Sequence, residues 1–344
     1  MATEAQILNV LDTLTEGQLE SLSDPETAPV QHLRRILAHD NVVGLGVSEK
    51  ISKGKRMDEL ALVFYVKEKK PVRAVRDDFA IPTTVPEPLS RSQAMPTDVV
   101  ELGALTLDGK PLATKNPIQP GNSIGHHKCL GGTLGAIVKR GNTTLLLSNA
   151  HVLADNGRAK RGDVILYPAI ADKGNPHSDV VATLDRSVAF RGSGEYVNRA
   201  DCAVAKVTTK IRAVINNIAM IGGPTGTATA RRGMRIVKVG RTTGRTTGEV
   251  RDVHFRFTVP YQGLGQIGFK DQGLCTRYSE QGDSGALVLE ESSGKAVGLH
   301  FASAKNGSVF NPIGEVLRSL DVRLLLGTRK ARKKPSATKR SSRL

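Results

Sequence analysis

The chain has 344 residues and a net charge of +16, with 39% hydrophobic and 24% charged residues, 4% aromatic residues and no Trp. That length supports two domains, or one domain with a large extension, and a core of ordinary size. It excludes a miniature disulfide scaffold, and the longest clearly apolar run, Leu60 to Val66, is too short to cross a membrane as a helix.

The amino-terminal stretch "MATEAQILNVLDTLTEGQ" carries acids early and lacks an unbroken apolar core, so it does not read as a secretory signal. Cys129, Cys202 and Cys275 lie 73 residues apart with no CxxC pair, which predicts buried free thiols and a cytoplasmic location. His126, His127 and Cys129 sit close in sequence, but no second ligand cluster completes a site. No metal or other cofactor is therefore expected.

Residues 3–22 and 29–39 show helical spacing of Ile, Leu and Val, separated by "SDPETAP". "NVVGLGVSE" and "ELALVFYVKEK" then read as a strand hairpin, 71–79 as a short helix, and "TDVVELGAL" as a third strand. From residue 116 the character changes. Short Val, Ile, Leu and Thr runs alternate with Gly-rich turns, including "TTLLLSNAHVL", "DCAVAKV", "MRIVKVGRTTG" and "SGALVLEE". Many short strands without long helices between them predict a mainly β fold built as a closed antiparallel barrel or sandwich. "IGEVLRSLDVRLL" reads as a closing helix followed by a strand.

Half of the net charge sits in the last sixteen residues, "RKARKKPSATKRSSRL", which hold eight Lys or Arg and no acid. Such a composition predicts disorder. A basic tail at 329–344 suits nucleic acid, an acidic membrane surface or an acidic protein, while the plainer reading is a solvated tail that aids solubility.

"EQGDSGALVLE" is the most specific stretch in the chain. A serine between glycines, ahead of an apolar strand, suits an exposed nucleophile in a tight turn. Gly282 permits unusual backbone angles, so its N–H and that of Ser284 can point at a developing oxyanion. A serine hydroxyl needs a base, and His151 in "SNAHVL" is the candidate. Asp201, just before the alternating strand "CAVAKV", suits the third role of fixing the imidazole tautomer; Asp155, Asp163, Asp179 and Asp185 compete, but none precedes such a strand. "VGRTTGRTTGEV" mixes Gly, Thr and Arg like a phosphate loop yet lacks its lysine pattern, and reads instead as a hairpin loop.

"SNAHVL", "DCAVAKV" and "GDSGALVL", in that order, resemble the trypsin-fold serine proteases. More narrowly, "VVGLGVSEK", "LALVFYVKEKKP", "PTDVVELG", "PGNSIGH" and "KVGRTTGRTTG" make the chain similar to bacterial trypsin-like peptidases related to the plant narrow-leaf serine protease. The resemblance implies a double antiparallel β-barrel preceded by a small α+β region. The expected divisions are helices at 1–40, an accessory region at 41–115, the protease domain at 116–328 and the tail at 329–344. It implies a peptide-bond hydrolase with His151, Asp201 and Ser284 as triad, and a homo-oligomer is one expectation of the group. In family members activated by cleavage, the residue at the place of Asp283 pairs with a new amino terminus. Here residues 1–115 precede the barrel, so an internal partner for Asp283 is expected without obligatory processing.

The resemblance also puts the pocket floor at Tyr278 and Ser279 and its wall at His300, Phe301 and Ser303. No Asp stands at that floor, which argues against basic side chains. Two selectivities remain open: acidic residues bound by Ser279, His300 and Ser303, or small apolar residues, with His300 then an ordinary core histidine. The competing function is a trypsin-fold binding or scaffold protein, weakly or conditionally proteolytic, tethered by its basic tail.

Overall fold

The computed structural model describes residues 2–16, 28–52, 54–86, 89, 95–105, 117–192, 194–208 and 214–327. The basic stretch 329–344 and the apolar positions Leu19 and Leu22 lie outside them.

The helices α1 (Glu4–Thr15) and α2 (Ala28–Leu37) precede β1 (Val42–Ser52), β2 (Lys55–Val66) and β3 (Thr97–Glu101). Then come β4 (Ser123–His126), β5 (Gly132–Thr133), β6 (Ala136–Arg140) and β7 (Thr143–Ser148). The single turn α3 (Ala150–Leu153) leads to β8 (Val164–Leu166), β9 (Val180–Ser187), β10 (Tyr196–Asn198) and β11 (Ala203–Val207). The last part holds β12 (Arg235–Gly240), β13 (Gly244–Tyr261), β14 (Gly265–Cys275), β15 (Leu287–Glu290), β16 (Ala296–Ala304) and β17 (Gly307–Pro312). It ends with α4 (Ile313–Leu320) and β18 (Arg323–Leu324).

These strands form two sheets. The first runs β18-β6-β7-β11-β9-β8-β4-β5, and the second runs β10-β14-β17-β16-β15-β12-β13-β1-β2-β3. Because β13 also pairs with β14, six strands of the second sheet close into a ring. The fold is thus mainly β with barrel-like sheets, as expected for the trypsin-like double barrel.

β13 is long enough to serve several neighbours. Its first residues pair with β12, its later residues pair with β14, and Arg256 and Phe257 pair with Leu45 and Gly44 of β1. The accessory strands therefore extend the second barrel's own sheet. β2 explains the continuous apolar run in the sequence: alternate residues of a strand point to opposite faces, and here both faces are covered. Leu62 and Phe64 pack with Ile7, Leu11, Leu33 and Ile36 of the two helices. Ala61, Val63 and Tyr65 pack with Phe255 and Phe257 of β13.

The helix expected over 71–79 is instead two separate 3-10 turns, Val72–Ala74 and Asp77–Phe79. Arg76 between them is extended (φ −64°, ψ 142°), which breaks any continuous helix.

The seam between β13 and the accessory strands buries a carboxyl group. Asp252 accepts from the His254 amide at 2.8 Å and from the Tyr65 hydroxyl at 3.1 Å, and it is fully enclosed. Gly46 of β1 makes the room, since a Cβ there would lie 1.9 Å from Asp252 Oδ2. Burial pushes the Asp252 carboxyl up to about 7, against the pull of the His254 amide, the Tyr65 hydroxyl and Arg232. The folded-state value thus exceeds the unfolded value of 3.8, so the folded chain binds the extra proton between them. Stability from this group is fully present below the lower value and is lost as pH rises through the window to about 7. We predict that Asp252→Asn flattens that loss: urea unfolding at pH 5 and pH 8 should show a smaller difference in the variant than in the wild type.

Candidate active site

β7 carries an apolar strand inward and ends at Ser148, where Asn149 is extended and α3 begins. That one turn sets the direction of His151. Asn149 Nδ2 donates to the Asp201 carbonyl at 2.7 Å, tying the turn to the loop before β11.

Asp201 is fully buried, and its carboxylate gathers four donors. The Ala150 and His151 amides reach Oδ1 at 2.5 and 3.2 Å, while His151 Nδ1 and the Tyr261 hydroxyl reach Oδ2 at 2.5 and 2.6 Å. Its own amide donates to Asn311 Oδ1. With Nδ1 carrying its proton toward the carboxylate, a neutral His151 has its lone pair on Nε2. That atom is buried and has no hydrogen-bond partner among the described residues.

Ser284 lies in the turn before β15, also fully buried. Its hydroxyl donates to the Phe301 carbonyl at 3.1 Å, not to His151. The Phe301 ring in turn lies 6.1 Å from the His151 ring between centroids. Close approach of the two segments is also recorded at Gly132, where a Cβ would meet Val152 at 2.5 Å and the Ser284 carbonyl at 2.6 Å.

The turn around Ser284 has the shape its glycines allow. Gly282 has φ +105° and Gly285 has φ +93°, both in the left-handed region that favours glycine. Thr133 Oγ1 and Arg241 Nε hold the Gly282 carbonyl at 2.7 and 3.2 Å, and the Thr133 amide holds the Ser284 carbonyl at 2.7 Å. Among the described residues, neither the Gly282 nor the Ser284 amide donates a hydrogen bond.

Asp283 has an internal partner. Lys238 Nζ donates to Oδ2 at 2.7 Å with both side chains fully buried, and the Thr243 hydroxyl donates to the same oxygen at 2.6 Å. The Thr242 and Thr243 amides reach Oδ1 at 3.0 and 3.2 Å. Gly240 must lack a side chain, because its Cβ would lie 2.1 Å from Oδ1. Burial pushes the Asp283 carboxyl up, but Lys238 and Thr243 outweigh it and hold it below its ordinary range. "KVGRTTG" is thus the β12–β13 turn, and the anion it cradles is this carboxylate. Arg241 of the same turn, also fully buried, pairs with Asp172 at 2.6 Å.

The five residues expected at the pocket are all enclosed. Ser279 Oγ lies 2.6 Å from both Ser303 Oγ and Ser308 Oγ, and Tyr278 Oη lies 3.3 Å from His300 Nδ1. Phe301 lies among other rings. Its ring packs against Phe269 and Phe257 at 4.8 and 5.7 Å, on the side of His151. A register shift between His300 and Ala302 breaks the strand alternation at that point and redirects the ring.

Cys202 and Cys275 are buried free thiols, whereas Cys129 is only partly buried. Burial and then Asp155 push the Cys129 thiol up to about 12. His126 pairs with Asp163 at 3.2 Å, and among the described residues no cluster of His, Cys, Asp or Glu is disposed to hold a metal.

Sequence reasoning did not find Tyr261, Asn311, Thr133, Ser308 or Lys238. Only Lys238 left a trace, as a cation inside the apolar run "IVKVG". A buried pair such as Lys238 and Asp283 leaves an uncompensated charge when one partner is removed. Lys238→Met should lower unfolding free energy by about 3–5 kcal/mol in urea titrations. In a double-mutant cycle with Asp283→Asn, the two losses should fall well short of adding.

No known family model matches the chain, and no curated protein matches it. Among solved structures, Thermobifida fusca protease A is similar at 21% identity, over 61% of this chain and 99% of that one, with a TM-score of 0.44. A glutamic acid-specific serine protease with a histidine triad in substrate binding is similar at 18% identity, over 60% and 100%, with a TM-score of 0.44. A Cellulomonas bogoriensis chymotrypsin is similar at 16% identity, over 61% and 98%, with a TM-score of 0.42.

Proposed function

We propose that the chain is a serine endopeptidase. The observation that carries this reading is the pair of His151 Nδ1 on a buried Asp201 carboxylate, with Nε2 left without a partner among the described residues. Ser284 Oγ attacks the peptide carbonyl while His151 Nε2 takes its proton. The oxyanion sits between the Gly282 and Ser284 amides, which make no other hydrogen bond among the described residues. His151 then returns the proton to the leaving amine, and water releases the acyl group from Ser284 by the same route in reverse.

One local change precedes attack. The Ser284 hydroxyl must turn from the Phe301 carbonyl to His151 Nε2, a tightening of the kind that substrate binding commonly brings about. That resting arrangement also favours a conditional enzyme over a constantly active one. The Lys238 partner of Asp283 supports activity without a chain cut, since the carboxylate is already neutralised from within.

For the residue before the cut we propose a small, uncharged side chain. Ser279 bonds both Ser303 and Ser308, and His300 is engaged by Tyr278, which favours the core-histidine reading over carboxylate recognition. Chemistry is assigned to residues 116–328, with 1–115 as a brace.

A fluorophosphonate probe should label the wild type and not Ser284→Ala; well-folded wild type that never labels contradicts the reading. Cleavage-site profiling with a peptide library should show Ala, Ser or Val before the cut, absent in Ser284→Ala. Enrichment of Glu there would instead favour His300 as a carboxylate partner.

A further inference from the structure

The Asp201 carboxylate has a donor from an unexpected direction. Tyr261 stands at the last position of β13, far in sequence from His151 and Ser284, and its hydroxyl reaches Oδ2 at 2.6 Å. The same oxygen receives His151 Nδ1 at 2.5 Å. We propose that Tyr261 is a positioning residue of the triad: its hydroxyl fixes the rotation of the Asp201 carboxylate and withdraws part of its charge from His151. This rests on the serine endopeptidase reading of the site.

The phenol is built to do that and little else. It is buried, with its ring held by Phe190 at 4.7 Å and by Phe269 at 6.2 Å between centroids. The next residues turn at once into β14, with Tyr261 opposite Gly265, so the backbone beneath the ring is pinned by a hairpin. Burial and then the charge of Asp201 drive the phenol well above its ordinary range, so it keeps its proton and acts only as donor.

The chemistry follows from the shared oxygen. A carboxylate that accepts two strong donors at one oxygen has less charge to offer each of them. Removing the hydroxyl concentrates that charge on His151, which favours the imidazolium and makes Nε2 protonated to a higher pH. It also leaves His151 Nδ1 as the sole donor to Oδ2, so the rotation of the carboxylate about its Cβ–Cγ bond is fixed less tightly. The first effect is electrostatic and the second geometric, and a packing role for the ring produces neither.

The experiment compares wild type, Tyr261→Phe and a protein carrying difluorotyrosine at 261, whose hydroxyl is more acidic and a stronger donor. Tyr261→Phe should lower kcat about tenfold with KM little changed. Its acid limb in the pH profile of kcat/KM should move to higher pH, and that of the difluorotyrosine protein to lower pH. The His151 Nδ1 proton resonance, read in a Ser284→Ala background that needs no turnover, should move when Tyr261→Phe is added. If Ser284→Ala abolishes hydrolysis while kcat, the acid limb and the Nδ1 proton ignore both changes at 261, the Tyr261 role is overturned and the peptidase reading stands. If Ser284→Ala hydrolyses as well as wild type, the peptidase reading itself is overturned. A shift of the Nδ1 proton in that case still supports the hydroxyl's hold on the Asp201–His151 pair.

Discussion

A carboxylate taken fully out of water is the condition on which the rest of this structure depends. Removing an ion from solvent costs several kcal/mol even after relaxation, so the buried Asp201 is tolerable only where donors surround it. They come from both sheets. Ala150 and His151 follow β7 of the first sheet, Tyr261 ends β13 of the second, and Asn311 of β17 takes the Asp201 amide. The seam between the sheets therefore has little freedom. Moving either barrel leaves an acceptor unfilled in a place water does not reach, and the orientation of His151 follows from that constraint.

A second buried carboxylate repeats the solution at the other end of the site. Asp283 is held by Lys238, Thr242 and Thr243, all from the end of β12 and its turn into β13. β13 thus begins beside Asp283 and finishes on Asp201, and between those ends it pairs with β1 of the accessory region. The α1 helix is fastened to the same strand: Arg256 of β13 bonds Asp12 and Thr15, and Glu4 pairs with Arg232 just ahead of β12. The amino-terminal region is in this way part of the support for the strand that meets both carboxylates.

How much of this was legible follows from the range of each signal. His151, Asp201 and Ser284 each carry a local pattern, a residue placed just after or just before an apolar strand with small neighbours, and their order along the chain did the rest. Tyr261 has no such pattern: in "FTVPYQG" it reads as the end of a strand, and its partner is 60 residues away. Asn311 and Ser308 sit on β17, which the sequence reading passed over because "GSVFNP" is short and mixed. β4 and β10 escaped for the same reason, and most of β14 did too, since "QIGFKDQ" alternates poorly. The turn of the Phe301 ring depends on a register shift that depends in turn on β17 pairing, and no single-strand pattern encodes that. The mainly β outline needed only the spacing of apolar runs and the double barrel came with the resemblance of the motifs, whereas closure through β13 and β14 needed to know which strands meet.

The central claim is that the Asp201 carboxylate holds His151 in the tautomer that leaves Nε2 able to take a proton. Asp201→Asn tests it with almost no change in shape, because an amide offers a donor where Nδ1–H now points and so favours the wrong tautomer. At neutral pH, the folded variant should hydrolyse a peptide substrate about 10³- to 10⁴-fold more slowly than wild type. A folded Asp201→Asn protein that hydrolyses at the wild-type rate would contradict the account.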